Sequence, residues 1–372
     1  MARPGDGIVP VQVAQLPWKV LFLVLAIGGF GLVVLYSAAG GSIKPWALNQ
    51  GTRFLLFLAV AIGMSRVPVR IWSQWALPVY AALVVALLGV ELLGKVAGGS
   101  QRWISLGGFQ FQPSELMKPM IVLALARFYE MLPASETRKF VAIWPACVLI
   151  GVPALLVIAQ PDLGTGLMIT GCGIMVMFLA GVPLRLFIAG ALAVAVAAPL
   201  AFNFVLHEYQ RNRVLIFLDP ERDPLGTGYH ITQSKIAIGS GGIFGKGFLQ
   251  GTQSHLDYLP EGQTDFALAT MMEEWGLAGG VFLILAFGTL IAWGIGVGMR
   301  AKTRFGRLTA AGLSGTMFLY CSINMAMVIG LAPVVGVPLP LISFGGTAVM
   351  TFMLCLGILL SIDRDGRTKT RW

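Results

Sequence analysis

Charge is scarce in this chain. Asp, Glu, Lys and Arg supply 12% of the 372 residues, about half the roughly 25% usual in soluble domains, and that shortage excludes an ordinary soluble enzyme. Cysteine is scarce as well: Cys147, Cys172, Cys321 and Cys355 all lie inside apolar stretches, far apart and without C-x-x-C spacing. A disulfide framework or a thiolate metal site needs grouped thiols, so these read as packing residues. Histidine occurs three times, at His207, His230 and His255, in spacings that match no standard zinc pattern. No internal repeat, low-complexity tract or separate soluble domain stands out. The run Gly239-Ser240-Gly241-Gly242-Ile243-Phe244-Gly245-Lys246-Gly247 fails as a nucleotide-binding P-loop, because Ser240 stands where Gly is needed and Gly247 where Ser or Thr is needed. No nucleotide cofactor is expected.

What the chain has instead is apolar: 56% of it is Ala, Val, Ile, Leu, Met, Phe, Trp, Tyr or Cys. A bilayer core about 30 Å thick takes about 20 apolar residues per helical span, and such runs continue from residue 19 almost to the C-terminus. The sequence predicts an all-α polytopic membrane protein, a single domain over 1–372, with about ten transmembrane helices. They are expected near 19–38, 51–67, 72–94, 114–131, 140–159, 163–182, 184–206, 265–298, 308–330 and 338–362. The first run is long for the core of a signal peptide and reads as a retained helix.

The net charge of +9, from 26 basic and 17 acidic residues, fits membrane lipids with anionic headgroups and no nucleic acid. Basic residues gather in alternate connections: Arg66 and Arg70, then Arg127, Arg138 and Lys139, then Arg185, then Arg300 to Arg307, then Arg364 to Arg371. Cytoplasmic ends carry the Lys and Arg excess, so both termini are expected inside. The long segment 207–264, between helices seven and eight, is then expected outside. Loops beyond about 12–15 residues are usually functional or disordered, and the Tyr209, Phe217, Tyr229, Ile236, Phe244 and Phe248 of this one predict order on the outer leaflet.

Ionisable residues at membrane depth are costly and mark function by default, and here they cluster on the outer side. Glu115 and Lys118 open the fourth span three residues apart, hence on one helical face, with Ser114 the expected N-cap. They read as an ion pair that fixes a helix end or as substrate contacts. Thr264 is the expected cap of the eighth span, with Asp265 in its first turn, where the helix dipole favours a carboxylate; capping alone is the plainer reading. The run from Asp265 to Gly298 exceeds one span, so its start is expected to project above the core or to line a wet cavity together with Glu273 and Glu274. The glycine-rich run reads as a flexible turn or as a cradle of N–H groups, with Lys246, for a lipid-linked phosphate. Arg102 beside Trp103, with Arg211, Arg213, Lys235 and Lys246, makes the outer side cationic enough for a pyrophosphate or for lipid headgroups.

Several runs in order resemble the motifs of one family: Gln101-Arg102-Trp103-Ile104, Phe111-Gln112-Pro113-Ser114-Glu115, Gln160-Pro161-Asp162-Leu163-Gly164-Thr165, Pro224 to His230, Gln233 to Gly242, Gly251-Thr252-Gln253-Ser254, Leu259-Pro260-Glu261 and Pro338 to Gly346. The chain resembles the SEDS family (shape, elongation, division and sporulation), and Ser234 to Gly242 with Pro333 to Pro338 favour its elongation-type branch. Departures are modest: Ala267-Leu268, Gly262-Gln263 and Phe344 replace residues more usual there. The resemblance implies a peptidoglycan glycosyltransferase of the bacterial cytoplasmic membrane that polymerises lipid II at the outer face, beside a class B penicillin-binding protein that crosslinks the strands. Such a transfer needs one base for the acceptor hydroxyl and stabilisation of the departing pyrophosphate. By this resemblance Asp265 is the base and Lys118, Arg102 and Lys246 are the pyrophosphate candidates. Glu115 would orient Lys118 or share a divalent cation, Mg or Mn, and Trp103, Asp162, Arg213, Lys235, Glu261 and Ser343 complete the expected substrate contacts. A lipid II flippase and a noncatalytic scaffold of the wall-building complex are the competing functions. A flippase needs polar groups through the full membrane depth, whereas these lie almost wholly in the outer half.

Overall fold

The structure is a computed structural model that describes residues 16–93, 95–97, 100–106, 109–204, 208–219, 222–223, 226–256, 258–259 and 261–368. For residues 91–93, 95–97, 100–106, 109–111, 134, 201, 209, 213, 227, 254, 255 and 368 it describes the backbone alone. Among the described residues nine helices are long and apolar enough to cross a membrane. They are α1 (Trp18–Ala38), α2 (Trp46–Met64), α3 (Val69–Leu93), α5 (Phe140–Ala159), α6 (Leu163–Ala180), α7 (Leu184–Phe204), α11 (Ala267–Arg300), α12 (Arg304–Val328) and α13 (Gly346–Thr368). A further helix, α4 (Pro113–Met131), carries Glu115, Lys118, Arg127 and Glu130, yet it is buried along most of its length. The chain is a multi-pass membrane protein.

Helix α4 forms the centre, packed against α3, α5, α6 and α12. Its apolar residues from Met117 to Ala126 point in every direction and all find protein, as expected of a helix surrounded by others. Local chemistry sets the ends: Pro113 occupies the first position of α4, where its missing N–H costs nothing. Asp162 caps α6 by accepting the Thr165 N–H at 3.1 Å, and Gly181, at φ 96, closes it.

Two expectations are corrected. Ser114 does not cap α4, because the helix starts one residue earlier, after Gln112. The last helix starts at Gly346, not at 338: Pro338 and Pro340 lack N–H groups, and residues 338–345 form a buried turn in which Ser343 Oγ accepts the Leu339 N–H at 3.0 Å. In the connection between α3 and α4, β1 (Lys95–Ala97), β2 (Ser100–Leu106) and β3 (Phe109–Phe111) pair as an antiparallel meander, with Ile104 opposite Phe111.

The basic connections gather at one end of the bundle. Arg304 donates to the Leu132 carbonyl and to Thr137, and Arg364 to the Ser65 carbonyl at 3.4 Å. Arg300 and Arg367 both pair with Asp363, at 3.5 and 2.8 Å. The start of α11 lies at the other end of that helix, where Gln263 donates to the Ala38 carbonyl at 3.2 Å.

Segment 207–264 contains α8 (Glu208–Leu218), α9 (Thr227–Gly241) and the short α10 (Thr252–His255). Helix α9 lies along α11, which is broken at Gly276 by a non-helical φ of 62° and ψ of −160°. A break strands carbonyls before it and N–H groups after it, and within a membrane protein these need partners. The glycine-rich run supplies them. Lys246 and Gly247 donate to the carbonyls of Glu273 and Glu274 at 3.0 and 3.1 Å, while Leu277 and Ala278 donate to the carbonyls of Gly242 and Ile243, both at 2.9 Å. Glycine is required on both sides: a Cβ at Gly276 would stand 2.6 Å from the Ile243 oxygen, and one at Gly245, whose φ is 81°, would overlap the Glu274 carbonyl. The glutamates thus serve the break and not a wet cavity. Buried Glu273 accepts from Lys246 Nζ at 2.6 Å and from the N–H groups of Thr252 and Gln253 at 2.9 and 3.0 Å, and Glu274 accepts from Ser37 of α1.

Candidate functional site

The site forms where two irregular segments meet one face of α12. The first segment carries Asp265, which precedes α11 and does not open it: the helix begins at Ala267, after Phe266, with no side-chain cap. Thr264 fails as a cap because its hydroxyl is taken by the Glu261 carboxylate three residues earlier. The N–H groups of Thr264 and Phe266 both donate to the Glu261 carbonyl, at 3.0 and 3.2 Å, and Glu261 adopts a φ of 59°. The resulting turn holds Asp265 half-buried.

The second segment joins α12 to α13 and turns at Gly330 and Gly336, with φ of 76° and 69°. A Cβ placed on Gly336 would stand 3.5 Å from Asp265 Oδ2, so bare backbone faces the carboxylate. The two segments are also joined directly, by the Phe344 N–H donating to the Gln263 carbonyl at 2.8 Å.

Helix α12 contributes Tyr320 and Asn324, four residues apart and therefore neighbours on one face. Asn324 Nδ2 donates to the carbonyls of Asp265 and Val337 at 3.1 and 2.8 Å. The Tyr320 hydroxyl donates to Glu115 Oε2 at 2.6 Å and accepts from Lys118 Nζ at 3.0 Å, while Lys118 also donates to Glu115 Oε1 at 2.6 Å. The ammonium lies 4.6 Å from the Tyr320 ring centre as well, a favourable cation–π position. Lys118 is 0% exposed and Glu115 8%. The three-residue spacing in the sequence therefore does report an ion pair, and the structure adds a third member and buries the whole ring one helical turn from Asn324.

The other expected site residues separate into groups. Asp162 is the buried cap of α6, and Ser343 is 1% exposed and holds the 338–345 turn together, its carbonyl accepting from Gln50 at 2.9 Å. Lys246 is engaged by Glu273 and by Thr252 Oγ1 at 2.7 Å. Lys235 is exposed on α9 beside Gly330, at the end of α12, where the negative end of a helix dipole favours a cation. The side chains of Arg102, Trp103 and Arg213 lie outside the described set, as does His207. His230 stacks on Phe266 with ring centres 5.9 Å apart. No group of three or more His, Cys, Asp or Glu among the described residues could hold a metal ion, and both Glu115 oxygens already serve Lys118 and Tyr320. The residues here do not suit a divalent cation at Glu115. Sequence reasoning missed Tyr320, Asn324 and Gly336, although a Tyr and an Asn at helical spacing inside an apolar run are themselves a signal.

Comparison with known proteins identifies the family. The family model for FtsW, RodA and SpoVE, described as cell cycle protein, matches residues 17–368. The curated peptidoglycan glycosyltransferase MrdB of Escherichia coli (strain K12) is 44% identical over 342 residues, 92% of this chain and 92% of that protein. A solved chain from a peptidoglycan synthase complex, described for its coordination of polymerization and crosslinking, superposes with a TM-score of 0.81 at 33% identity, covering 95% of this chain and 99% of that one. The rod shape determining protein RodA of Thermus thermophilus superposes with a TM-score of 0.70 at 28% identity, covering 95% and 98%. With a family match that takes in every described helix and a relative this similar over nearly its whole length, the chain belongs to the FtsW/RodA/SpoVE family of cell cycle proteins.

Proposed function

We propose that this chain is a peptidoglycan glycosyltransferase that polymerises lipid II at the outer face of the bacterial cytoplasmic membrane during cell elongation. The observation that carries the reading is Asp265: a half-buried carboxylate held outside any helical ladder, facing the bare backbone of Gly336, at the end of the bundle opposite the basic connections. Cytoplasmic ends hold the basic residues, so the grouping of Arg300, Arg304, Arg364 and Arg367 supports cytoplasmic termini and an outward Asp265.

In this mechanism the acceptor sugar hydroxyl gives its proton to the Asp265 carboxylate as its oxygen bonds to the anomeric carbon of the donor. The bond from that carbon to the pyrophosphate oxygen breaks on the opposite face, and the configuration inverts. A base must come within about 2.6–3.2 Å of the oxygen whose proton it takes, and the half-buried Asp265 carboxylate faces backbone and not a side chain at Gly336. Lys235, exposed at the end of α12 and without an acidic partner among the described residues, is the proposed cation for the departing pyrophosphate. Lys118 acts from beneath, its charge held by Glu115 and Tyr320, and braces α4 against α12. A class B penicillin-binding protein is the proposed partner, a reading supported by the synthase complex that contains the structural relative.

The test is to incubate the purified chain with lipid II, alone and with its transpeptidase partner, and to resolve the glycan products. Asp265→Asn is expected to insert, to bind the partner and to lose at least about a hundredfold in polymerisation, the scale of general base catalysis. Near-parental polymer from this variant would remove Asp265 from the role of base.

A further inference from the structure

We infer that Asn324 is a positioning residue for Asp265, setting the distance between its carboxylate and the backbone that faces it. The inference rests on the assignment of Asp265 as base and deepens it. Asn324 is fully buried near the end of a membrane helix, where an amide is costly unless it is used. Both of its described hydrogen bonds are given by Nδ2, one to the Asp265 carbonyl and one to the Val337 carbonyl. Neither acceptor belongs to a helix, and carbonyls buried in folded proteins are almost always given a donor. Two acceptors on one NH2 group fix the plane of the amide. Its oxygen is buried with no donor among the described residues, so the described contacts use the donors of asparagine and not its acceptor.

The consequence for the carboxylate is geometric. Val337 is bonded covalently to Gly336, and Gly336 is the residue whose added Cβ would stand 3.5 Å from Asp265 Oδ2. One amide therefore holds the residue that carries the base and the residue beside its opposing backbone. Asn324 touches no reacting atom in this arrangement and acts through Asp265. A reacting group displaced by about 1 Å can lose roughly a hundredfold in rate, while Asn324 itself gives no contact to pyrophosphate or lipid in the proposed mechanism. Loss of the amide should therefore appear in kcat and leave KM nearly alone.

The experiment uses the full chain in lipid nanodiscs with its partner, measuring kcat and KM for lipid II and the equilibrium binding of a fluorescent lipid II. Asn324→Leu, close in volume but without donors, and Gly336→Ala, which strains the backbone facing Asp265 because Gly336 holds a φ of 69°, are expected to lower kcat about tenfold to a hundredfold, with KM and binding within about threefold of the parent. Thr351→Val, equally buried in α13, serves as the control and should keep the parental kcat. If Asn324→Leu does not fold, Asn324→Ala and Gly336→Ala decide by the same criteria. A kcat within about threefold of the parent, or a loss carried mainly by KM and binding, overturns the positioning role. Asp265→Asn is run in parallel: activity there removes the base assignment itself, whereas an inactive Asp265→Asn beside a normal Asn324→Leu removes the positioning role alone.

Discussion

Replacing Lys118 with Met removes a cation that has no contact with solvent. The wild-type ammonium gives hydrogen bonds of 2.6 and 3.0 Å to Glu115 and Tyr320, and Glu115 is itself 8% exposed. Methionine fills similar space and leaves the Glu115 carboxylate with the Tyr320 hydroxyl as its remaining described partner. Breaking a buried pair from one side typically costs about 3–5 kcal/mol, because the surviving charge is buried and uncompensated. At about 1.4 kcal/mol per decade, that is a loss of roughly two to three and a half decades in the ratio of folded to unfolded chain. Removing Glu115 as well, in Lys118→Met with Glu115→Gln, takes away the stranded charge. The pair should therefore be less destabilised than the sum of the single changes by about 1.5–3 kcal/mol, the scale of a charged hydrogen bond. Unfolding of the four proteins by SDS in mixed micelles, followed by the fluorescence of the nine tryptophans, gives the cycle. A Lys118→Met midpoint equal to the parent's, or single changes that simply add, would refute the structural role of the ion pair. A Lys118 that met pyrophosphate directly would give the contrasting result of normal stability with impaired donor use.

Two further outcomes are expected. Gly276→Val should destabilise by at least about 1–3 kcal/mol, the cost of placing a side chain at such a backbone conformation, and should expose residues 242–256 to added protease; parental resistance would show that the break tolerates a side chain. Single cysteines at Leu256 and at Lys302, both exposed, in a chain stripped of Cys147, Cys172, Cys321 and Cys355, should react with an impermeant thiol reagent in spheroplasts at residue 256 alone, and reaction at 302 would invert the proposed topology.

Much of the fold was legible because membrane helices are written in composition. The runs at 19–38 and 140–159 match α1 and α5 closely, since nothing but apolar length is needed to define them. Boundaries failed where an apolar run was not a helix. Residues 338–345 are as apolar as a span, yet their prolines and the buried Leu339 and Ile342 belong to a turn packed inside the protein, and hydropathy does not separate lipid from protein interior. The site was half legible. The Glu115–Lys118 pair followed from spacing, but Tyr320 lies 202 residues away, and no local pattern reports such a meeting. The glycine-rich run showed the same limit more sharply: its glycines are explained by the backbone of Glu273 to Ala278, which approaches only once α9 lies along α11.

The break at Gly276 also sets how α11 fits its solvent. Unbroken, its 34 residues would form a rod of about 51 Å, far beyond the roughly 30 Å of hydrocarbon it has to cross, and the mismatch would have to be met by steep tilt or a thickened bilayer. Cut at Gly276, residues 277–300 leave a rod of about 36 Å, which needs only ordinary tilt, and the stub 267–275 is freed from the membrane normal. The glycine-rich run acts here as a splint, because the cut ends stay satisfied only while it is docked. The thickness of bilayer that this helix accepts is thus fixed by a segment outside the span, and a change in residues 242–247 should alter which lipids the protein prefers before it alters any chemistry.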